Sequence, residues 1–207
     1  MTDQIDYYFT TISPFAFLGH KALMDISQRH NKPVKFKPFN IFSVWEQSGA
    51  LPPKDRPPVR QRYRLIELQR AGIIRNTTIN PKPAHFPTDP TLADCCICAL
   101  QALGEDPSEF AYQVGRAVWE RDLQINDESV LSELLADSGH NAKKVIDHAH
   151  TEDIQSERVY NTDAAIKADA IGAPAYVYKG EVFWGQDRLE YLEQMISSGR
   201  SCFSSDF

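Results

Sequence analysis

The sequence predicts an α/β domain in which a long helical segment separates a βαβ unit from a ββα unit. Three observations predict it: a strand–helix–strand pattern near the start, a series of amphipathic stretches through the middle, and two short apolar runs followed by a helical stretch near the end. With 207 residues, of which 42% are hydrophobic, the chain has ample material for a packed core.

The βαβ unit is predicted from the N-terminal part of the chain. IDYYFT (5–10) is short, aromatic-rich and followed by turn residues, which is typical of a buried strand. Helical spacing of apolar residues over 15–30 predicts a helix, with Ser13 near its N-cap and Pro14 at its first position. PVKFKPF (33–39) alternates apolar and basic residues, which predicts a second strand parallel to the first through a right-handed crossover.

The middle of the chain is predicted to be helical between proline-rich loops. SGALPPKDRPP (48–58) and INPKPAHFPTDP (79–90) are the two loops. The apolar spacing predicts helices over 60–72, 91–103, 107–121 and 128–138, and further helical sequence to about 170.

The ββα unit closes the sequence. PAYVYKGEVFWG (174–185) has two short apolar runs around a central Lys-Gly pair, which is typical of a hairpin, and DRLEYLEQMISSG (187–199) predicts a final amphipathic helix. A βαβ unit followed by a ββα unit is the order of a thioredoxin-like fold. We therefore expect a discontinuous thioredoxin-like domain, residues 1–47 and 168–207, with a helical insertion domain over 48–167.

Composition and charge exclude several functional classes. The formal net charge is −6 and the charges are mixed along the chain, so no basic face for nucleic acid is expected. The longest apolar runs are far shorter than the roughly 20 residues of a membrane helix. MTDQIDYYF has no basic segment followed by an apolar stretch, so no signal peptide is expected and a cytoplasmic location is predicted.

Four cysteines, Cys95, Cys96, Cys98 and Cys202, raise the question of a redox or metal site. Cys95 and Cys98 form C-x-x-C, a spacing that can be redox-active or metal-binding. The pair lies within PTLADCCICALQALG, whose apolar spacing is helical, and no second ligand pair accompanies it. We expect buried thiols that pack like small hydrophobic residues, and no metal site.

The chemistry is expected where the first strand ends and the first helix begins. Thioredoxin-like oxidoreductases have C-x-x-C there, whereas this chain has Ser-Pro-Phe-Ala (13–16), so dithiol exchange at this place is excluded. The helix macrodipole favours an anion at this end by about 0.3–1 kcal/mol, and a serine hydroxyl that donates to a thiolate lowers that thiol's pKa. Ser13 is therefore a candidate for stabilising the thiolate of an external thiol, with a plain N-cap as the alternative.

Longer stretches make a family resemblance specific. IDYYFTTISPFAFLG, and far downstream IGAPAYVYKGEVFWGQDRL, resemble the family that joins kappa-class glutathione transferases with bacterial 2-hydroxychromene-2-carboxylate isomerases. These are DsbA-like proteins, with a helical insertion in a thioredoxin domain. Other stretches match in the expected order: SGALPP, the R-x-R-Y-x-x-x-x-L-x-R helix, PAHFPTD and VWERDLQINDESVLSELLADSG.

The resemblance implies glutathione as the cofactor and assigns its contacts. Ser13 matches the serine that contacts the glutathione sulfur and is the expected catalytic residue. Ala173 precedes Pro174, expected in cis, and its backbone is expected to pair with the cysteinyl backbone of glutathione. Gln186 and Asp187 match the polar pair that engages the γ-glutamyl end, although Asp187 could instead only cap the last helix.

The resemblance also implies the reaction. We expect a glutathione-dependent isomerase that interconverts 2-hydroxychromene-2-carboxylate and trans-o-hydroxybenzylidenepyruvate, or a related aromatic 2-oxo acid, with Lys54 holding the substrate carboxylate. One alternative is a kappa-like transferase that conjugates electrophiles, and another is a non-redox DsbA-like protein that binds thiols or peptides. Family precedent implies a homodimer.

The chain departs from the family pattern near the expected site. Family members commonly carry an acidic residue and then an apolar one shortly before the serine, where this chain has Thr10 and Thr11. Ala50 stands where kappa enzymes have asparagine. The hairpin aromatic residues Tyr176, Phe183 and Trp184 are expected in the core. The arginines Arg60, Arg62 and Arg64 are expected on a solvated helix face.

Overall fold

A computed structural model describes residues 3–205. Within this range one four-stranded sheet has the strand order β2-β1-β3-β4. Its strands are β1 (Ile5–Phe9), β2 (Val34–Pro38), β3 (Ala175–Tyr178) and β4 (Glu181–Trp184). β1 pairs in parallel with β2 and antiparallel with β3, and β3 pairs antiparallel with β4. The outermost ends of the predicted discontinuous domain, 1–2 and 206–207, lie outside the described residues.

Helices surround this sheet and fill the segment between β2 and β3. In chain order they are α1 (Pro14–His30), α2 (Ile41–Ser48), α3 (Pro58–Ile74), α4 (Thr91–Ala102), α5 (Ser108–Trp119), α6 (Glu128–Asp137), α7 (Ala142–Ala149), α8 (Glu152–Lys167) and α9 (Leu189–Ser198). Short 3-10 helices cover Pro53–Asp55 and Gln186–Arg188. The predicted thioredoxin-like order of βαβ, helical segment and ββα is confirmed. None of the helices in the described part of the chain is long and apolar enough to cross a membrane.

The helix α2 was not among the predicted elements. Asn40 caps it, since its side chain accepts a hydrogen bond from the Phe42 N–H at 3.1 Å, and Gly49 ends it with a positive φ of 72°. Eight residues next to a proline-rich loop give too short a periodic pattern to stand out in the sequence. The helix α3 begins at Pro58, two residues before its predicted start, because proline is tolerated at the first helical position.

The core is continuous from the sheet into the helices. Tyr7 of β1 stacks on Phe9 at 4.3 Å and on Tyr176 of β3 at 5.4 Å between ring centroids. One cluster of buried apolar residues includes these rings together with residues of α1 and of α4 to α7. The division into two domains stays a prediction.

The cysteines of α4 are free and buried, as predicted. Burial raises the pKa of the Cys95 thiol to about 11 and that of Cys96 to about 12, so both stay protonated at neutral pH. Among the residues with described positions, no cluster of histidine, cysteine and acidic side chains could hold a metal ion.

The hairpin forms as predicted, but one of its aromatic residues leaves the core. Lys179 and Gly180 both have positive φ, as a two-residue type I′ turn requires. Tyr176 and Phe183 are buried, whereas Trp184 is 48% exposed, so its predicted core position was wrong. Successive residues of β4 point to opposite faces, which puts Trp184 on the face opposite Phe183.

We expect His20 of α1 to make the folded state sensitive to acid. Burial lowers the pKa of His20 from 6.5 to about 4, although the charge of Asp106 and a backbone hydrogen bond to Ser108 oppose the shift. Between these two pH values His20 is protonated in the unfolded chain but neutral in the folded protein. Stability is therefore lost as the pH falls through this window, by about 3 kcal/mol.

The test compares free energies of unfolding at pH 6.5 and near pH 4. His20→Gln should lose less stability than the parent protein over this interval, because glutamine does not titrate. His85→Gln, at an exposed histidine, should behave like the parent. An equal loss in the His20 variant would contradict the assignment.

Candidate functional site

Ser13 lies where β1 gives way to α1, and it caps the helix. Its backbone is extended, with φ −81° and ψ 117°, and its Oγ accepts a hydrogen bond from the Ala16 N–H at 3.2 Å. The same Oγ donates to the carbonyl oxygen of Ala173 at 3.3 Å, across 160 residues of sequence. The N-cap role is therefore present, together with a contact that a cap does not require.

Ala173 and Pro174 form a cis peptide bond facing this serine, as the resemblance implied. The preceding residue, Gly172, is buried between two indole rings. A Cβ on Gly172 would lie 3.0 Å from Nε1 of Trp184 and 3.6 Å from Nε1 of Trp45. A side chain at this position would crowd the Trp184 indole, whereas the distance to Trp45 is an ordinary van der Waals contact. The structure thus brings Ser13, Ala173 and Pro174 together.

A buried carboxylate holds the loop that carries Ser13. Asp94 of α4 accepts hydrogen bonds from the Thr11 N–H and Thr11 Oγ1, both at 2.9 Å, and from Thr10 Oγ1 at 3.2 Å. The carbonyl of Thr10 in turn accepts from the Ser13 N–H at 2.9 Å. The two threonines that depart from the family pattern are therefore the groups that bind a carboxylate supplied by another helix.

Arg158 of α8 completes this cluster. Its Nε and Nη2 both lie 3.1 Å from Oδ2 of Asp94. The carboxylate is fully buried and the arginine side chain is 14% exposed. Burial raises the pKa of Asp94, while Arg158 and the Thr11 hydrogen bonds favour its charged form. Sequence reasoning missed both residues, and the only available signal was an acidic residue within an otherwise apolar helical stretch.

Gln186 is held in place by an arginine that the sequence did not single out. Arg75, at the end of α3, donates from Nε to the Gln186 side-chain oxygen and from Nη2 to its carbonyl oxygen, both at 2.7 Å. Gln186 also lies directly against α1, since a Cβ on Gly19 would be 2.7 Å from its own Cβ. The start of the last helical segment is thereby fixed beside the first helix.

Asp187 is exposed, unlike its neighbour Gln186. Its Oδ2 lies 2.6 Å from Nη1 of Arg188, and both side chains are about half exposed or more. The preceding Gly185 has φ 98°, which favours glycine, and a Cβ there would be 2.5 Å from Oδ1 of Asp187. A ligand ammonium group would therefore compete with a solvated arginine for this carboxylate.

Lys54 lies on the 3-10 helix before α3 and is exposed. Its carbonyl oxygen accepts from the Gln61 side chain at 3.0 Å. Within residues 3–205, no hydrogen bond or ion pair links Lys54 to Ser13. Its role in substrate binding stays a prediction. Ala50, the other departure from the family pattern, follows the C-cap of α2, and its N–H donates to the Trp45 carbonyl at 3.1 Å.

The family model of a DSBA-like thioredoxin domain matches residues 4–197. The chain belongs to this family. A DSBA-like thioredoxin domain is the fold that the strand order and the cis-proline loop already indicated, and the predicted fold class is confirmed.

Relatives of this DSBA-like chain include enzymes with two different names. It is 27% identical over 197 residues to a 2-hydroxychromene-2-carboxylate isomerase of Sphingobium xenophagum, covering 95% of this chain and 99% of the relative. It is 23% identical over 204 residues to glutathione S-transferase kappa 1 of Rattus norvegicus, covering 93% and 90%. The resemblance to these two groups is therefore confirmed along nearly the whole chain.

A solved structure of a 2-hydroxychromene-2-carboxylate isomerase has the same fold. It superimposes with a TM-score of 0.81 at 21% identity, covering 94% of each chain. At this identity the likeness describes the fold alone.

Cavity volume by itself does not mark the site in this DSBA-like protein. A surface cavity of about 540 Å³ is lined by the loop 84–89 together with Gln124 and Asn126. It does not include Ser13 or Pro174. The candidate site is identified by its chemistry: one hydroxyl at a helix N-terminus, a backbone carbonyl opposite, and no sulfur atom in the first turn.

Proposed function

We propose that this protein is a glutathione-dependent isomerase of the 2-hydroxychromene-2-carboxylate isomerase type, acting on an aromatic 2-oxo acid. The observation that carries the proposal is the contact between Ser13 Oγ and the Ala173 carbonyl, at the N-terminus of α1 and with no cysteine in its first turn. The similarity to relatives named isomerase and glutathione transferase supports it.

Glutathione would replace the bond between Ser13 and Ala173 with two of its own. The Ser13 hydroxyl has a single proton, now shared with the Ala173 carbonyl across a long 3.3 Å contact. The cysteinyl N–H of glutathione can donate to that carbonyl instead. The hydroxyl is then free to donate to the glutathione sulfur, which favours the thiolate and lowers the thiol's pKa.

The γ-glutamyl end of glutathione would lie at Gln186 and Asp187. An ionised Asp187 opposite the ligand ammonium group makes a charge-assisted contact. Gln186 is already oriented by Arg75, so less side-chain freedom is lost when the ligand binds. This arrangement requires the γ-glutamyl and cysteinyl residues of the tripeptide to span from the turn after β4 to the N-terminus of α1.

The chemistry needs a nucleophile that can be returned. 2-Hydroxychromene-2-carboxylate is a cyclic hemiketal, so its ring C–O bond breaks first: the C2 hydroxyl becomes the 2-oxo group, and its proton passes to the phenolic oxygen. Rotation about the conjugated C=C bond of this open form is blocked while the bond is double. The thiolate electron pair forms a C–S bond at the β-carbon, and the π electrons move to the 2-oxo group as an enolate. After rotation about the new single bond, the enolate expels the thiolate, and glutathione is regenerated.

The decisive assay uses 2-hydroxychromene-2-carboxylate with glutathione below the substrate concentration. An isomerase continues to full equilibrium, because glutathione is returned in each cycle. A kappa-like transferase, the first alternative, instead consumes glutathione in proportion to the product. A protein that only binds thiols or peptides would bind glutathione in calorimetry without accelerating either reaction.

We expect Asp187→Ala to weaken glutathione binding by about 10-fold, since one charge-assisted hydrogen bond is lost at an exposed position. Isothermal titration calorimetry measures the change. Glu190→Ala, which removes an exposed acid from the first turn of α9, is the matched control and should leave the dissociation constant unchanged. An unaltered constant in the Asp187 variant would refute this contact.

The homodimer, the cytoplasmic location and the role of Lys54 stay predictions. The dimer is tested by sedimentation equilibrium of the purified chain. For Lys54, the test is the KM for the carboxylate substrate in Lys54→Met.

A further inference from the structure

One arginine on α3 does not lie on the solvated face predicted for it. Arg60 and Arg62 are exposed, but Arg64 is partly buried against α5. Its guanidinium carbon lies 5.9 Å from the centre of the Trp119 indole, and no ion pair or hydrogen bond to an acceptor is present for it among residues 3–205. The predicted exposure of Arg64 was therefore wrong.

Arg64 is partly removed from water and lies near a second positive charge, that of Arg56. Burial lowers the pKa of Arg64, and the charge of Arg56 lowers it further, with no acidic group to offset either effect. The guanidinium carbon of Arg56 lies 5.5 Å from the centre of the Trp45 indole. Its Nε–H donates a hydrogen bond to the Leu51 carbonyl oxygen at 2.7 Å. Dehydrating a cation without an anionic partner is costly, so this pair is suited to a negatively charged ligand.

The Trp119 indole, next to Arg64, has a further hydrogen-bond donor without an acceptor within residues 3–205. The indole N–H of Trp119 is buried and has no hydrogen-bond acceptor among the described residues. Trp45, Arg56, Arg64 and Trp119 together are called the arginine–tryptophan wall. Its polar groups all donate hydrogen bonds, and the partly exposed Trp45 offers an aromatic face, whereas the Trp119 ring is fully buried. A planar aromatic ligand with an anionic, acceptor-only end complements both properties.

The wall reaches the candidate site through Trp45. The Nε1 of this indole lies 3.6 Å from where a Cβ of Gly172 would be, and Gly172 directly precedes Ala173. The helix that carries Trp45 is tied to the same loop, since Ser48 Oγ donates to the Ile171 carbonyl at 3.0 Å. One end of the wall thus lies against the loop that contacts Ser13, and the other end is at Arg64.

We propose that Arg64, assisted by Arg56, binds the carboxylate of an aromatic 2-oxo acid whose ring packs along Trp45. The proposal deepens the proposed function and rests on it for the identity of the reacting substrate. It differs from the Lys54 prediction, because an exposed ammonium keeps its hydration whereas the Arg64 guanidinium has already lost part of it. A guanidinium can also grip a carboxylate with two parallel hydrogen bonds.

The experiment measures binding of trans-cinnamate, an aromatic monocarboxylate that does not isomerise under the assay conditions, by calorimetry in saturating glutathione. Arg64→Met keeps the apolar stem and removes the charge, and it should weaken cinnamate binding by about 10- to 100-fold. Arg64→Lys should fall between Met and the parent. Arg62→Met, two residues earlier on the exposed side, is the matched control and should change binding by less than about twofold.

One further arm makes the result specific. The uncharged methyl cinnamate should bind the parent and Arg64→Met alike. Equal weakening of the ester in Arg64→Met, or undiminished cinnamate binding in that variant, would overturn the proposal. Thermal unfolding confirms that each variant is folded. Glutathione-dependent turnover of the parent is a separate readout, so failure of the isomerase function is distinguishable from failure of this subsite.

Discussion

Replacing Ser13 with alanine is expected to lower kcat for the isomerisation by about 10²-fold or more at saturating glutathione. The hydroxyl is the one side-chain donor at the N-terminus of α1 that can turn from the Ala173 carbonyl to the glutathione sulfur. Without it, the pKa of the bound thiol should rise towards that of free glutathione. Ultraviolet absorbance of the thiolate, followed against pH in the binary complex, measures that shift directly.

Ser13 also caps α1, so the variant needs a control for stability. Loss of the cap is expected to cost about 1 kcal/mol of unfolding free energy. Asn141 caps α7 in the same way, with Oδ1 accepting from the Lys144 N–H at 3.1 Å, and Asn141→Ala should cost a similar amount without affecting turnover. Unchanged turnover in Ser13→Ala, or a bound thiol that keeps its proton at neutral pH in the parent protein, would remove the basis of the proposed function.

Asp94→Ala is expected to destabilise the protein by about 3–5 kcal/mol, because it leaves Arg158 partly buried without its counter-ion. The hydroxyls of Thr10 and Thr11 lose their acceptor in the same variant. Urea unfolding measures the stability. Thr10, which Asp94 holds, accepts a hydrogen bond from the Ser13 N–H through its carbonyl oxygen. Loss of Asp94 should therefore also displace Ser13 and lower the glutathione affinity of the protein that remains folded.

The matched control is an exposed ion pair in which an aspartate is again paired with a basic side chain. Lys143 and Asp147 are paired at 2.6 Å with both side chains mostly exposed, and Asp147→Ala should cost about 0.5 kcal/mol or less. Removing both buried charges, in Asp94→Leu with Arg158→Met, should recover part of the stability. A destabilisation by Asp94→Ala no larger than that of the control would show that the buried pair does not hold this loop.

The parts of the fold that were predictable are those specified by nearby residues. The first strand and helix follow from an aromatic run, a serine cap and a proline at the first helical position. The hairpin follows from Lys179 and Gly180, which both adopt positive φ. Each of these signals is complete within a few residues of sequence, so it needs no knowledge of the tertiary structure.

The parts that were missed are contacts between distant residues. Asp94 meets Thr10 across 84 residues, and Arg75 meets Gln186 across 111. The sequence does not indicate which charged side chains of a helix have a distant buried partner, because most charged side chains on helices are solvated. The partial burial of Arg64 could not be predicted for the same reason: Arg60, Arg62 and Arg64 lie close together in the sequence, and only the packing of Arg64 against Trp119 distinguishes it from the other two.

The buried pair of Asp94 and Arg158 has a consequence for exchanging parts between relatives. Both charges come from helices between β2 and β3, whereas the threonines that they secure belong to the turn after β1. A chimera that keeps Thr10 and Thr11, but whose new helical segment lacks a carboxylate at the position of Asp94, would leave both threonine hydroxyls without their acceptor. A stable chimera should therefore take the turn after β1 and the helices α4 and α8 from the same parent protein.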